Sequence, residues 1–287
     1  MHDATKARAA IMILSWLLGA SPAAAKPIPT GNGRQTIDVD GTRLVLFTYR
    51  PACPDPSLLL VFHGVARNAA AYRDDARVLA DRDCLLVVAP LFDKRAFPLW
   101  RYQRGGIVKD GMVQSTGQWT GRLVPALVDR VRRQEGNPLP YSLLGHSAGA
   151  QFLDRLAAFV PTEARRIVVA NPGSYVFPSL ETSAPYGLGK VYAGADGEAA
   201  LRQYLAQPLT IYLGQGDTRE NERDDSLDAQ AQGASRHRRG VNAFNAGRAL
   251  AQARGWTFKW RLTELPGVGH NARKMFAAPQ ASAALSP

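Results

Sequence analysis

Five consecutive residues, Gly145-His146-Ser147-Ala148-Gly149, constrain this chain more than any others. They follow the apolar, strand-like run Tyr141–Leu144 and lead into a helical stretch, Ala148–Phe159. A strand that becomes a helix within so few residues must double back on itself. The positions two before and two after the apex then have no room for a Cβ, and both are glycine. The apex residue, Ser147, is held out of the sheet with its hydroxyl exposed. It also stands at a helix N-terminus, where free N–H groups and the helix dipole favour negative charge.

The surrounding pattern predicts a matching framework. Gln35–Asp40 and Arg43–Tyr49 flank Gly41 as an N-terminal β-hairpin. Leu58–Phe62 is a continuous apolar run, as expected of a strand buried on both faces. A helix over Ala69–Ala80 follows, then a strand over Leu85–Ala89, a helix over Leu123–Glu135 and the turn already described. Beyond it come strands at Ile167–Ala170, Leu209–Leu213 and Thr257–Leu265, with a helix over Val241–Arg254. Strands alternating with helices imply a mostly parallel, doubly wound α/β sheet. Residues 172–207 read as a lid-like insertion and residues 278–287 as a loose tail. Two aromatic-rich loops, with Trp100 and Tyr102 in one and Tyr175 in the other, are expected to wall a pocket; packed surface loops are the alternative.

At the N-terminus Lys6 and Arg8 precede the apolar run Ala9–Ala20, and small residues surround Ala25. That is the pattern of a secretory signal peptide over residues 1–25, leaving a single domain over 26–287 that is periplasmic or secreted. The run is too short for a permanent membrane anchor. Export bears on Cys53 and Cys84, which each precede a strand: an oxidising compartment would join them if the strands are neighbours, and two isolated buried thiols are the alternative. Two cysteines exclude a four-thiolate metal site. Lys plus Arg number 35 against 24 Asp plus Glu, yet the arginines are scattered and no nucleic-acid-binding motif accompanies them. No nucleic-acid partner is expected.

A serine hydroxyl needs a base near neutral pH. The chain has five histidines. His2 lies in the signal peptide, His63 ends a strand, and His237 sits in the basic run Ser235–Arg239. His146 lies inside the turn and is expected to face away from Ser147. His270 follows the last strand through Pro266-Gly267-Val268-Gly269, a loop able to reach over the sheet's end. Where this turn is used the order along the chain is serine, acid, histidine, which favours His270. Asp217, in Gly214-Gln215-Gly216-Asp217 after a strand, is the matching acid; Glu220, Glu222, Asp224, Asp225 and Asp228 compete with it. Backbone N–H groups of Ala148 and Val65 are candidates for an oxyanion hole. Arg236 is a candidate for binding a product carboxylate, with a surface charge run as the alternative.

The segments LLLVFHGVARN, LLVVAPLFD, YSLLGHSAGAQ, LTIYLGQGDTREN, RHRRGVNAFN and FKWRLTELPGVGHN span Leu58 to Asn271. They resemble α/β-hydrolase serine esterases, in particular the poly(3-hydroxybutyrate) depolymerase-like and feruloyl-esterase-like group. The resemblance implies an α/β-hydrolase fold, a Ser147–His270–Asp217 triad and no cofactor. It also implies hydrolysis of carboxylic esters, with polyester oligomers or aromatic esters as candidate substrates. A peptidase or thioesterase with the same triad, or a non-catalytic binding protein of this fold, are the alternatives.

Overall fold

The computed structural model describes residues 26–218 and 224–287. The signal-peptide expectation and the competing acids Glu220 and Glu222 lie outside the described residues. Strands β1 (Gly31–Val39) and β2 (Thr42–Arg50) form the N-terminal hairpin around Gly41. Then follow β3 (Ser57–Phe62), helices α1 (Ala69–Asp75) and α2 (Arg77–Asp83), and β4 (Leu85–Leu91). A small outlying hairpin, β5 (Val108–Lys109) with β6 (Met112–Val113), precedes α3 (Leu123–Glu135). The centre is β7 (Tyr141–His146), α4 (Ala148–Phe159), β8 (Ile167–Ala170), α5 (Gly194–Leu205) and β9 (Leu209–Gly214). The chain closes with α6 (Leu227–Ala231), α7 (Arg236–Arg254), β10 (Arg261–Leu265), α8 (Ala272–Ala277) and α9 (Pro279–Leu285).

Eight strands make one sheet in the order β1-β2-β4-β3-β7-β8-β9-β10. The two pairings that involve β2 are antiparallel and the other five are parallel. Alternate residues of the apolar strands serve opposite faces. Leu58, Leu60 and Phe62 pack beneath α3, α4, α5 and α7, while Leu59 and Val61 pack beneath α1, α2, α8 and α9. A strand covered on both sides has no polar face to show, which is why these segments read as unbroken apolar runs. Each leucine so buried contributes roughly 1.5–3 kcal/mol. Register aligns the carboxyl ends: Phe62 pairs with Gly145, His146 with Ala170 and Gly214 with Leu265. The loops after β3, β7, β9 and β10 therefore emerge on one rim, the usual place for a site in such a sheet.

Several expectations are corrected. The helix expected over 69–80 is two helices meeting at Ala76. The last strand starts at Arg261, because the residues before it pack on the end of α5: the Lys259 N–H donates to the Leu205 carbonyl and Trp260 Nε1 to that of Tyr204. Residues 278–287 are not loose. Ala281 and Ala284 are buried, Thr210 Oγ1 donates to the Ala284 carbonyl (3.0 Å), and Arg82 donates to the carbonyls of Ala277 and Ala278 and to Ser282. Small residues made the segment look featureless, whereas they let α9 lie close against the sheet.

Residues 172–207, expected as a lid-like insertion, divide in two. Their second half is α5, the crossover that two neighbouring parallel strands require. Their first half is anchored inward, with Ser174, Tyr175, Val176 and Leu188 buried. Two buried charges of α4 hold it. Arg155 donates to the carbonyls of Ser174 (2.8 Å) and Pro185 (3.1 Å), and Asp154 accepts from the Val176 N–H (2.6 Å) and the Tyr204 hydroxyl (2.9 Å). Burial raises the Asp154 carboxyl to about 6, against the pull of Arg155 and these donors. Among the described residues no helix is long and apolar enough to cross a membrane.

Cys53 and Cys84 are joined in a disulfide at the start of β3 and β4, whose first residues, Ser57 and Leu85, pair.

Candidate active site

The turn between β7 and α4 takes the shape its glycines permit. Ser147 has φ 57° and ψ −118°, a conformation L residues rarely adopt. A Cβ on Gly145 would lie 2.5 Å from the Gly149 carbonyl carbon and oxygen, and one on Gly149 would lie 2.3 Å from the Phe62 carbonyl oxygen. The strain at Ser147 is thus held by α4 pressed against β7 and β3, with no side chain between.

The rim brings three distant residues together. Ser147 Oγ lies 3.0 Å from Nε2 of His270, and Nδ1 of His270 lies 2.7 Å from Oδ2 of Asp217. Asp217 is buried, whereas the His270 side chain retains about a quarter of its exposure. Backbone bonds knit the two loops: the Gly216 N–H donates to the Val268 carbonyl (2.8 Å) and the Gln215 N–H to that of Leu265 (3.0 Å). Asn171, at the end of β8, accepts from the Gly214 N–H (2.8 Å) and donates to the Gly269 carbonyl (3.3 Å). The competing Asp224 is occupied elsewhere, accepting from Ser174, Tyr186 and Ser226.

Val65 and Ala148 both line the cleft above Ser147, and no hydrogen bond among the described residues engages either N–H. For Ala148 this follows from its place as the first residue of α4, ahead of the first intrahelical bond. The loop carrying Val65 is braced from behind. His63 donates through Nδ1 to the Gly64 carbonyl (3.1 Å) and accepts the Phe92 N–H at Nε2 (3.1 Å), while the Tyr102 hydroxyl donates to the His63 carbonyl (2.8 Å). Burial, helped by the Arg67 cation, lowers the His63 imidazole to about 4, so the ring is neutral and serves as a brace.

The cleft has a volume of about 970 Å³. Of the residues expected to bind substrate, Arg236 alone lines it. Trp100 is turned toward another face, beside Gln118 and Thr42. Tyr102 is fully buried, its ring against Phe92 and Phe152. Tyr175 is buried too, and its backbone is paired with the Gln232 amide. Tyr102 and Tyr175 therefore build core, while Trp100 is half-buried with Arg101 and Lys109 over its ring. Arg236 is no solvated surface charge: α7 begins there, five residues earlier than expected, with Ser235 as its N-cap, and its guanidinium lies 3.4 Å from Oδ1 of Asp217.

His146, expected to face away from Ser147, is a cleft residue that sequence reasoning passed over. It lines the cleft, and its ring centroid lies 4.5 Å from that of His270. The Tyr72 hydroxyl lies 3.1 Å from its Nδ1. Burial, then the nearby His270 and Arg236, hold its imidazole well below the ordinary range, so it stays neutral. Its position directly before Ser147 was the available signal. Among the described residues no group of His, Cys, Asp and Glu is arranged to hold a metal ion.

No family model and no curated protein matches the sequence. Solved structures do. The poly(3-hydroxybutyrate) depolymerase LpqC from Bordetella parapertussis is 33% identical with a TM-score of 0.81, over 90% of this chain and 93% of that one. Poly(aspartic acid) hydrolase-1 from Sphingomonas sp. KT-1 is 32% identical with a TM-score of 0.80, over 87% and 96%. The Pyrobaculum calidifontis esterase, at 16% identity and a TM-score of 0.51 over 92% and 88%, shares the fold. With a third of its residues matched along nearly its whole length, the chain belongs to the α/β-hydrolase superfamily, among hydrolases that resemble poly(3-hydroxybutyrate) depolymerase.

Proposed function

We propose that the protein is an exported serine esterase that cleaves neutral carboxylic esters, polyester oligomers or aromatic esters, through an acyl-enzyme. The carrying observation is the unbroken relay from Ser147 Oγ through His270 to Asp217, at 3.0 and 2.7 Å. His270 Nε2 takes the Ser147 proton as Oγ attacks the ester carbonyl. Asp217 holds Nδ1–H and stabilises the imidazolium. The N–H groups of Val65 and Ala148 receive the negative oxygen, each worth roughly 3 kcal/mol in the transition state. The imidazolium then protonates the departing alcohol, and water repeats the sequence to release the acid. No cofactor enters these steps.

The charges in the cleft support a neutral substrate. Arg104, Arg236 and Arg273 each have a carboxylate beside them, Asp224 at 3.9 Å, Asp217 at 3.4 Å and Asp75 at 3.6 Å. Cations already balanced offer little to a polyanion. Val65, Ala66 and Leu99 give the same cleft an apolar side. Amide hydrolysis is the second reading, favoured by the 32% identity to a poly(aspartic acid) hydrolase. Export is supported by the Cys53–Cys84 disulfide, a bond of oxidising compartments.

The test is a substrate panel of aryl esters, feruloyl esters, 3-hydroxybutyrate oligomers and poly(aspartate), run on the protein and on Ser147→Ala, with fluorophosphonate labelling alongside. Ester turnover and labelling that vanish in the variant are expected. Turnover of poly(aspartate) alone would select the amide reading, and no labelling of the native protein would remove the triad assignment. N-terminal sequencing of protein recovered outside the cytoplasm tests export, a start near residue 26 being expected.

A further inference from the structure

Asp217 has two carboxylate oxygens, and the relay uses one. Its second, Oδ1, faces the guanidinium of Arg236 at 3.4 Å, and both side chains are almost fully enclosed, at 4% and 1% exposure. A buried carboxylate bonded to a neutral imidazole carries an uncompensated charge, and a cation behind it removes that cost. The chain holds the cation there by construction. The Ser235 hydroxyl caps α7, fixing the position of its first residue, and the next residue, His237, donates its N–H to the Asp217 carbonyl (3.3 Å). The first turn of α7 thus grips the acid through backbone and side chain together.

We infer that Arg236 is a positioning residue of the relay: it holds the Asp217 carboxylate in the orientation that presents Oδ2 to His270 Nδ1. The inference rests on the esterase reading above and replaces the role of substrate-carboxylate anchor, since the guanidinium already faces an acid of its own chain. A guanidinium fixed on Oδ1 leaves Oδ2 turned to the ring. The other groups around the ring are Ser147 and the neutral His146 from the turn, while Asp75 from α1 and Arg273 from α8 form their own pair on the cleft side. Arg236 is therefore the cation that weighs on the pair from the enclosed side.

The test follows the His270 Nδ1–H resonance by ¹H–¹⁵N NMR at one fixed pH in the native protein and in Arg236→Gln, Arg236→Met and Arg236→Lys, with the resonance assigned by its loss in His270→Asn. The neutral variants are expected to move that resonance from its native position and to lower kcat for an aryl ester about tenfold at unchanged KM, and lysine to restore both in large part. A folded neutral variant with an unmoved Nδ1–H resonance, whatever its kcat, would reduce Arg236 to packing and overturn the inference. Both glutamine and methionine keep most of the volume, so whichever folds decides. If the native protein turns over no ester, the functional reading fails while the resonance still judges Arg236.

Discussion

Gly149→Ala separates tertiary geometry from helix propensity, because the two predict opposite signs. Gly149 lies in the first turn of α4, where alanine in an isolated helix would add about 0.5–1 kcal/mol. In the folded protein the new Cβ would stand 2.3 Å from the Phe62 oxygen, 2.6 Å from its carbonyl carbon and 2.8 Å from the His63 oxygen, where ordinary contact begins at 3.4 Å. These neighbours are backbone and cannot rotate away. Relief requires the start of α4 to part from the end of β3 by about 1 Å, and overpacking of this kind costs about 1–3 kcal/mol. That movement runs between the two proposed oxyanion donors, since Ala148 opens α4 and Val65 lies three residues beyond Phe62. A displacement of about 1 Å between reacting groups is worth about 100-fold in rate. Calorimetry should show a melting temperature lowered by a few degrees, and aryl-ester kinetics a kcat about 100-fold down. Gly117→Ala, whose Cβ would enter open space, is the matched control and should change neither. A Gly149→Ala protein that melts higher than native with unchanged kcat/KM would refute the reasoning.

Three further outcomes are expected. Replacing Cys53 and Cys84 by serine opens a link between residues 31 apart, and loop-closure entropy puts the loss at about 3–4 kcal/mol, read as a lower melting temperature that reductant reproduces in the native protein. Acidification should destabilise the fold through His63, whose imidazole is lowered from 6.5 to about 4: the stability it carries is full above pH 6.5 and is lost as pH falls toward 4, by about 3 kcal/mol. His146 acts in the same direction and Asp154, raised to about 6, in the opposite one; urea titrations of the native protein and His63→Asn should show a shallower acid slope in the variant. Arg82→Ala removes the donors that hold Ala277, Ala278 and Ser282, costs about 1–3 kcal/mol, and should expose the C-terminus to carboxypeptidase; an untrimmed variant would contradict the anchoring of α9.

What could be read from the sequence was whatever the backbone alone enforces. Gly145 and Gly149 announce the turn because no other residue fits their contacts, and the unbroken apolar strands announce a sheet covered on both faces. Ser147, His270 and Asp217 followed, since each sits at a fixed offset from a strand end on one rim. Partner-dependent features were illegible. An aromatic ring in a loop suits a core as well as a pocket, and only the position of Phe92 and Phe152 decided for Tyr102. Likewise a helix opening on Arg236-His237-Arg238-Arg239 contradicts the dipole rule, and Asp217 with the carbonyls of Gly173, Gly233 and Asp224 reverses it.

That reversal bears on the composition as well. The chain carries 28 Arg and seven Lys, an imbalance that an electrostatic surface would not need. Many of these arginines point inward at carbonyl oxygens where segments meet. Arg73 donates to the Thr48 carbonyl, Arg67 to Phe92 and Phe97, Arg155 to Ser174 and Pro185, Arg166 to Ser286, and Arg239 to Gly173, Gly233 and Asp224. A guanidinium has five donors in a rigid plane and sheds water more readily than an ammonium, so one side chain can satisfy two or three loop carbonyls at once. Lysine cannot span them. These arginines hold in place the loops on which Asp217, Val65 and the walls of the cleft depend.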